Sequence, residues 1–189
     1  SMEPYVRAGF TTFDMADHYG SSEVIAGYFK RNHFLSDQVQ LFTKWVPQPG
    51  KINREVVRQA VQLALDRMKQ STIELIQFHA WHYPDPSWLD ALFYLNELRE
   101  EGLIHHLGVT NFDAAHLRMA CASGIPLISN QVCHSLIDQR ASGEMEEVCE
   151  EYGVKILAFG TLAGGFLTQK WMGRVEPSQD ELTTWSEMK

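Results

Sequence analysis

Short apolar stretches alternate along this chain with longer segments whose apolar residues step by three and four. The apolar stretches begin near residues 11, 39, 73, 105, 127 and 155. Among the longer segments the clearest follows Asn53, where Val56, Val57, Ala60, Val61, Ala64, Leu65 and Met68 fall on one stripe. That spacing predicts a helix with one buried face, and Asn53 is a suitable cap. The same reading predicts strands over 11–14, 39–44, 73–79, 105–110, 127–132 and 155–159. Helices are expected over 22–31, 88–101 and 143–152, with another that Asp113 caps and that ends before Gly124. Residues 3–8 read as a helix end stopped by Gly9, Ser87-x-x-Asp90 as a capping box, and Gly164 and Gly165 as the lead into a short helix near Trp171.

Regular alternation of strand and helix implies a parallel sheet covered by helices. An open doubly wound sheet and a (β/α)8 barrel compete. The open sheet, where it binds a dinucleotide, carries G-x-G-x-x-G after its first strand, and no such motif is present. Polar residues instead collect at strand ends, where barrels place their chemistry. The expected fold is therefore an α/β (β/α)8 TIM barrel, here about six βα units of it, since a closed barrel needs eight and about 250 residues. The 189 residues read as one barrel domain, apparently truncated at both ends, and the opening Ser-Met reads as a cleavage scar.

Composition narrows the partners. A net charge of −8 argues against nucleic acid, and no apolar run approaches the roughly 20 residues of a membrane span. No signal peptide is visible, and three cysteines without a C-x-x-C pattern fit a reducing, cytoplasmic setting. His79-x-x-His82 falls at a strand end with no matching ligand pair, so no metal site is expected.

The strand ends hold the candidate chemistry. They are Asp14 with Tyr19 just beyond, Lys44, His79, Thr110 with Asn111, Gln131 and Phe159. A phenol with a pKa of about 10 is a poor acid at neutral pH. A lysine cation beside Tyr19 would lower that value, and Asp14 would keep Lys44 charged and oriented. His79 could donate to a substrate oxygen. The four together would suit protonation of a carbonyl oxygen as it becomes an alkoxide. Taken singly, each residue has an ordinary structural role, as a strand cap, a turn starter or a core histidine. Their convergence on one end of consecutive strands favours a site. Trp45 and Trp81 stand nearby and could wall a pocket for a moderately apolar carbonyl compound, or simply pack the barrel mouth.

In order, D-M-A-D-H-Y-G, F-T-K-W, L-I-Q-F-H, G-V-T-N-F-D, N-Q-V and L-A-F-G-T-L-A-G-G-F-L-T resemble the aldo-keto reductases over about residues 9–171. The resemblance implies hydride transfer between NADP(H) and an aldehyde or ketone, with Tyr19 as general acid, Asp14 and Lys44 tuning it, and His79 orienting the carbonyl. It places Thr110, Asn111 and Gln131 on the nicotinamide carboxamide and Phe159 where an aromatic ring stacks on the nicotinamide. Thr110 stands where serine is commoner, and Phe159 where tyrosine is. The family's eighth unit carries basic residues for the adenosine phosphate, a role not assigned to Arg174. A truncated or non-catalytic binding or regulatory relative is the competing expectation.

Overall fold

A computed structural model describes residues 2–48, 50–80, 83–175 and 178. After a short helix α1 (Glu3–Arg7), six strands alternate with helices. These are β1 (Thr12–Asp14), α2 (Ser22–Asn32), β2 (Gln40–Trp45), α3 (Arg54–Met68), β3 (Ile73–Phe78) and α4 (Ser87–Glu100), followed by β4 (Ile104–Thr110), α5 (Ala114–Ala122), β5 (Leu127–Cys133), α6 (Glu144–Tyr152) and β6 (Lys155–Phe159). The strands lie side by side in sequence order and every neighbouring pair is parallel. Among the described residues, no helix is long and apolar enough to cross a membrane.

Strand alternation divides each strand between two faces. On β2, Leu41, Thr43 and Trp45 face the helices while Phe42 and Lys44 face the other way. The apolar core lies on the helix side. There Leu41, Ile76, Phe78, Leu107 and Val109 from the strands meet Val57, Val61, Leu65, Leu92, Leu95 and Leu117 from the helices. The opposite face is polar near the strand ends. Gln131 Nε2 on β5 donates to Asp14 Oδ2 on β1 at 3.0 Å. In a flat sheet those strands would stand roughly 19 Å apart, at about 4.8 Å per step. The sheet must therefore curl until its first and fifth strands meet across a shared interior, which makes a half-barrel.

The caps follow the sequence in two of three cases. Asn53 accepts from Val56 N at 3.0 Å, and Asp113 accepts from His116 N at 2.8 Å. The expected capping box at Ser87 does not form. Pro86 takes the cap position, and Asp85 Oδ1 accepts from Ser87 N at 3.0 Å, so Ser87 is already inside the helix. Val56 lies at the edge of its stripe, 38% exposed. The short helix expected near Trp171 is present as a 3-10 turn, Gln169–Trp171, which follows another, Ala163–Gly165. Ala163, Gly164 and Gly165 take φ of 49°, 66° and 102°, so the chain makes tight turns here and not an α-helix.

Helix α2 packs on the end of α3 through Gly27. A Cβ added there would lie 2.2 Å from the Met68 carbonyl oxygen and 2.4 Å from its carbon, both backbone atoms. Gly→Ala inside a helix ordinarily stabilises by about 1 kcal/mol. Here the sign should reverse. Gly27→Ala is expected to destabilise the fold by about 1–3 kcal/mol through the overpacked helix crossing, read from its urea midpoint.

Candidate active site

Asp14, the last residue of β1, is the point on which the inner polar groups converge. Lys44 Nζ forms an ion pair with Asp14 Oδ2, and the same ammonium donates to the Met15 carbonyl at 3.0 Å. Gln77 Nε2 reaches Asp14 Oδ1 at 2.7 Å, and Gln131 Nε2 reaches Oδ2 at 3.0 Å. Register explains the convergence. Lys44 stands beside Gln77 and Thr110 beside Gln131, each pair on the same face of neighbouring strands. Lys44 is 3% exposed, whereas the Asp14 side chain is 35% exposed.

Tyr19 sits in the loop after β1 and is 52% exposed. Lys44 Nζ lies 5.5 Å from its ring centroid, within cation–π range. The loop is fixed at Asp17. Its N–H donates to the Lys44 carbonyl at 3.0 Å, its Oδ2 accepts from Val46 N at 3.0 Å, and its Oδ1 meets His18 Nδ1 at 2.8 Å. His79 follows β3 and stays on the ladder, its N–H donating to the Trp45 carbonyl at 3.0 Å. Asn111 Nδ2 approaches His79 Nε2 at 3.3 Å. Asn111 has a left-handed backbone, φ 57°, held by its N–H on the Gln131 carbonyl at 2.8 Å and by Tyr83 Oη on its own carbonyl at 3.3 Å.

The electrostatics of Tyr19 differ from the sequence expectation. Its phenol is raised above the ordinary value, first by burial and then by the negative charge of Asp14. Burial and Asp14 outweigh the opposing charge of Lys44, whose ammonium lies 5.5 Å from the ring centroid and is already paired with Asp14. His79 is pushed below the ordinary imidazole value by burial, then by His18 and Lys44, against the opposing charge of Asp17. Near neutral pH the ring is therefore the uncharged form.

The remaining expected positions fall as follows. The Thr110 hydroxyl is buried without a hydrogen-bond partner and shares the inner face with Gln131. Phe159, at the end of β6, is 41% exposed. An orphan hydroxyl, the carboxamides of Asn111 and Gln131, and an open aromatic face suit a flat ring that bears an amide. Trp45 does not offer a pocket wall. It is 6% exposed and packs on Phe78 in the core at 5.4 Å, because alternation turns it away from Lys44. Trp81 lies outside the described residues. Sequence reasoning passed over Gln77, although alternation places it on the same face as His79, two residues on.

The amino-acid sequence matches the model of the aldo/keto reductase family over residues 1–186. The chain belongs to that family. It is 26% identical over 196 residues to the chloroplastic pyridoxal reductase of Arabidopsis thaliana, a match that covers 94% of this chain and 53% of that protein. With the NADH-specific methylglyoxal reductase of Escherichia coli it shares 28% over 183 residues, covering 86% and 55%. The chain thus spans about half the length of these curated relatives. In fold it is similar to a crystal structure of an aldo/keto reductase from Klebsiella pneumoniae in complex with NADP and acetate. The TM-score is 0.72 at 23% identity, covering 85% of this chain and 56% of that one.

Removing the Asp14 carboxylate leaves Lys44 buried without its counter-charge. Losing one partner of a fully buried pair costs about 3–5 kcal/mol. With 35% of the Asp14 side chain in solvent, Asp14→Ala should cost roughly 2–3 kcal/mol in urea denaturation, between that range and the surface limit. The double variant with Lys44→Met should recover part of the loss. The His79 imidazole should titrate below about 6.5 by NMR. Since its folded pKa is depressed, the stability it contributes is present above the unfolded value and is lost as pH falls through the folded one.

Proposed function

We propose that this site reduces the carbonyl group of a small aldehyde or ketone, with NADP(H) as hydride source. The observation that supports this best is the Asp14 cluster, which fixes a buried ammonium 5.5 Å from the Tyr19 ring at the mouth of the half-barrel. The names of the Arabidopsis and Escherichia relatives, both reductases of aldehydes, point the same way.

In this reading Tyr19 is the general acid. Its raised pKa keeps the proton on the phenol at rest. As the carbonyl oxygen gains charge it takes that proton, and Lys44 stabilises the phenolate left behind. His79, neutral, donates a hydrogen bond to the same oxygen and sets its direction. Asp14, with Gln77 and Gln131, keeps Lys44 in place. Thr110, Asn111 and Gln131 would hold the carboxamide of the nicotinamide, and Phe159 would lie against its ring. Bound there, the reduced nicotinamide supplies the hydride. Small carbonyl compounds, a cytoplasmic setting and NADPH in preference to NADH complete the reading. The preference is open to direct comparison, since one relative is named NADH-specific and a similar structure holds NADP.

The test is oxidation of NADPH, and separately NADH, by the 189-residue chain with an aromatic aldehyde. Tyr19→Phe should lower turnover by at least about 100-fold, the lower end of the range for a general acid. Equal turnover by wild type and Tyr19→Phe would show that the assignment is wrong.

A further inference from the structure

Behind β2, on the face turned away from the site, lies a buried polar group that the mechanism does not use. Glu23, in the first turn of α2, is 2% exposed. Its Oε1 accepts from Thr43 Oγ1 at 2.6 Å, and its Oε2 meets Arg67 Nη1 at 3.2 Å in a salt bridge. The same Arg67 nitrogen donates to the Asp17 backbone carbonyl at 3.1 Å. A carboxyl group is rarely so completely buried without a purpose that offsets its desolvation. Its contacts join β2, the last turn of α3, the start of α2 and the loop after β1. Tyr19 lies between the two points held, two residues after Asp17 and four before Glu23.

We propose that Glu23, acting with Arg67, is a positioning residue that clamps the loop after β1 from behind and so sets the place of Tyr19 relative to Lys44. The clamp and the charge use successive residues of one strand. Thr43 carries the first outward and Lys44 the second inward, so a shift of β2 would move both. Met15, at the start of the loop, is held by β2 through its N–H on the Phe42 carbonyl at 2.9 Å and its carbonyl on Lys44 Nζ at 3.0 Å, but the other bonds around Tyr19 are local, Tyr19 N to the Ala16 carbonyl at 3.0 Å and Ser22 N to the Tyr19 carbonyl at 3.1 Å. They shape the turn but do not tie it to the barrel. Asp17 supplies the front tie through its bonds to Lys44 O and Val46 N, and Arg67 supplies the rear one. The functional consequence rests on the reading of Tyr19 as proton donor.

The test observes Tyr19 directly. Protein labelled with 13C at tyrosine Cζ is titrated by NMR, and the Tyr19 signal is assigned by its loss in Tyr19→Phe. The charged or titratable groups that reach it are Asp14 from β1, Lys44 from β2 at 5.5 Å and His18 from its own loop in edge contact at 4.8 Å, with Asp17 and His79 around His18 in the same site. In wild type the midpoint should lie above about 10. In Glu23→Gln and in Arg67→Met the signal should move, and the midpoint should fall by at least about half a unit as the phenol gains solvent. Arg67→Lys, which keeps a cation, should restore part of the shift, while the Tyr152 signal on α6 stays in place throughout. A Tyr19 signal and midpoint at their wild-type values in both variants, even with a lowered melting temperature, would overturn the clamp. Should Glu23→Gln fail to fold, Arg67→Met decides alone, because Arg67 is partly exposed. Where the chain turns over aldehyde, kcat should fall about 10- to 100-fold in these variants with little change in KM. Turnover that survives Tyr19→Phe would sink the reading of the function but leave the NMR result on the clamp intact.

Discussion

The structure around the strand ends depends on a lysine ammonium withdrawn from water. At 3% exposure, Lys44 has lost its hydration, a cost of several kcal/mol for an isolated ion. What offsets it is the Asp14 carboxylate and the Met15 carbonyl. Asp14 in turn must be aimed, and Gln77 and Gln131 hold it from two other strands. The geometry of four strands is therefore tied to the satisfaction of one charge. A small change in curl would leave either the lysine or the aspartate short of partners.

Strand β2 organises both sides of this arrangement. Its residues alternate between the interior and the helices, and three successive positions do separate jobs. Thr43 holds the buried Glu23, Lys44 serves the interior, and Trp45 fills the core against Phe78. Helix α2 can approach closely enough for Glu23 to reach Thr43 because Gly27 lets it rest on the backbone of Met68. Packing on one face thereby limits the freedom of the loop on the other.

Much of this was legible in the sequence. The stripe from Val57 to Met68, the caps at Asn53 and Asp113 and all six strands follow from local pattern, because period and capping are properties of neighbouring residues. Asp14, Lys44 and His79 could be read as one group because each stands at or within one residue of the end of a strand in a parallel sheet. What stayed hidden depends on partners far apart in sequence. Nothing near Gln77 or Glu23 announces Asp14 or Arg67. The Tyr19 shift runs opposite to what the lysine charge alone implies, because burial and the Asp14 carboxylate outweigh a lysine whose charge is already engaged. Trp45 looked like a pocket wall by proximity to Lys44, although strand alternation sends adjacent residues to opposite faces.

The hydrogen bond between Gln131 and Asp14 links residues 117 positions apart. A contact of that range bears on the order of events in folding. Each βα pair can gather its own short-range contacts first, and only when five strands are in register does the carboxamide meet the carboxylate. Long loops carry the larger entropic cost of closure, and chains rich in such contacts fold slowly. Within the Asp14 cluster this bond closes the longest loop, against 63 positions to Gln77 and 30 to Lys44.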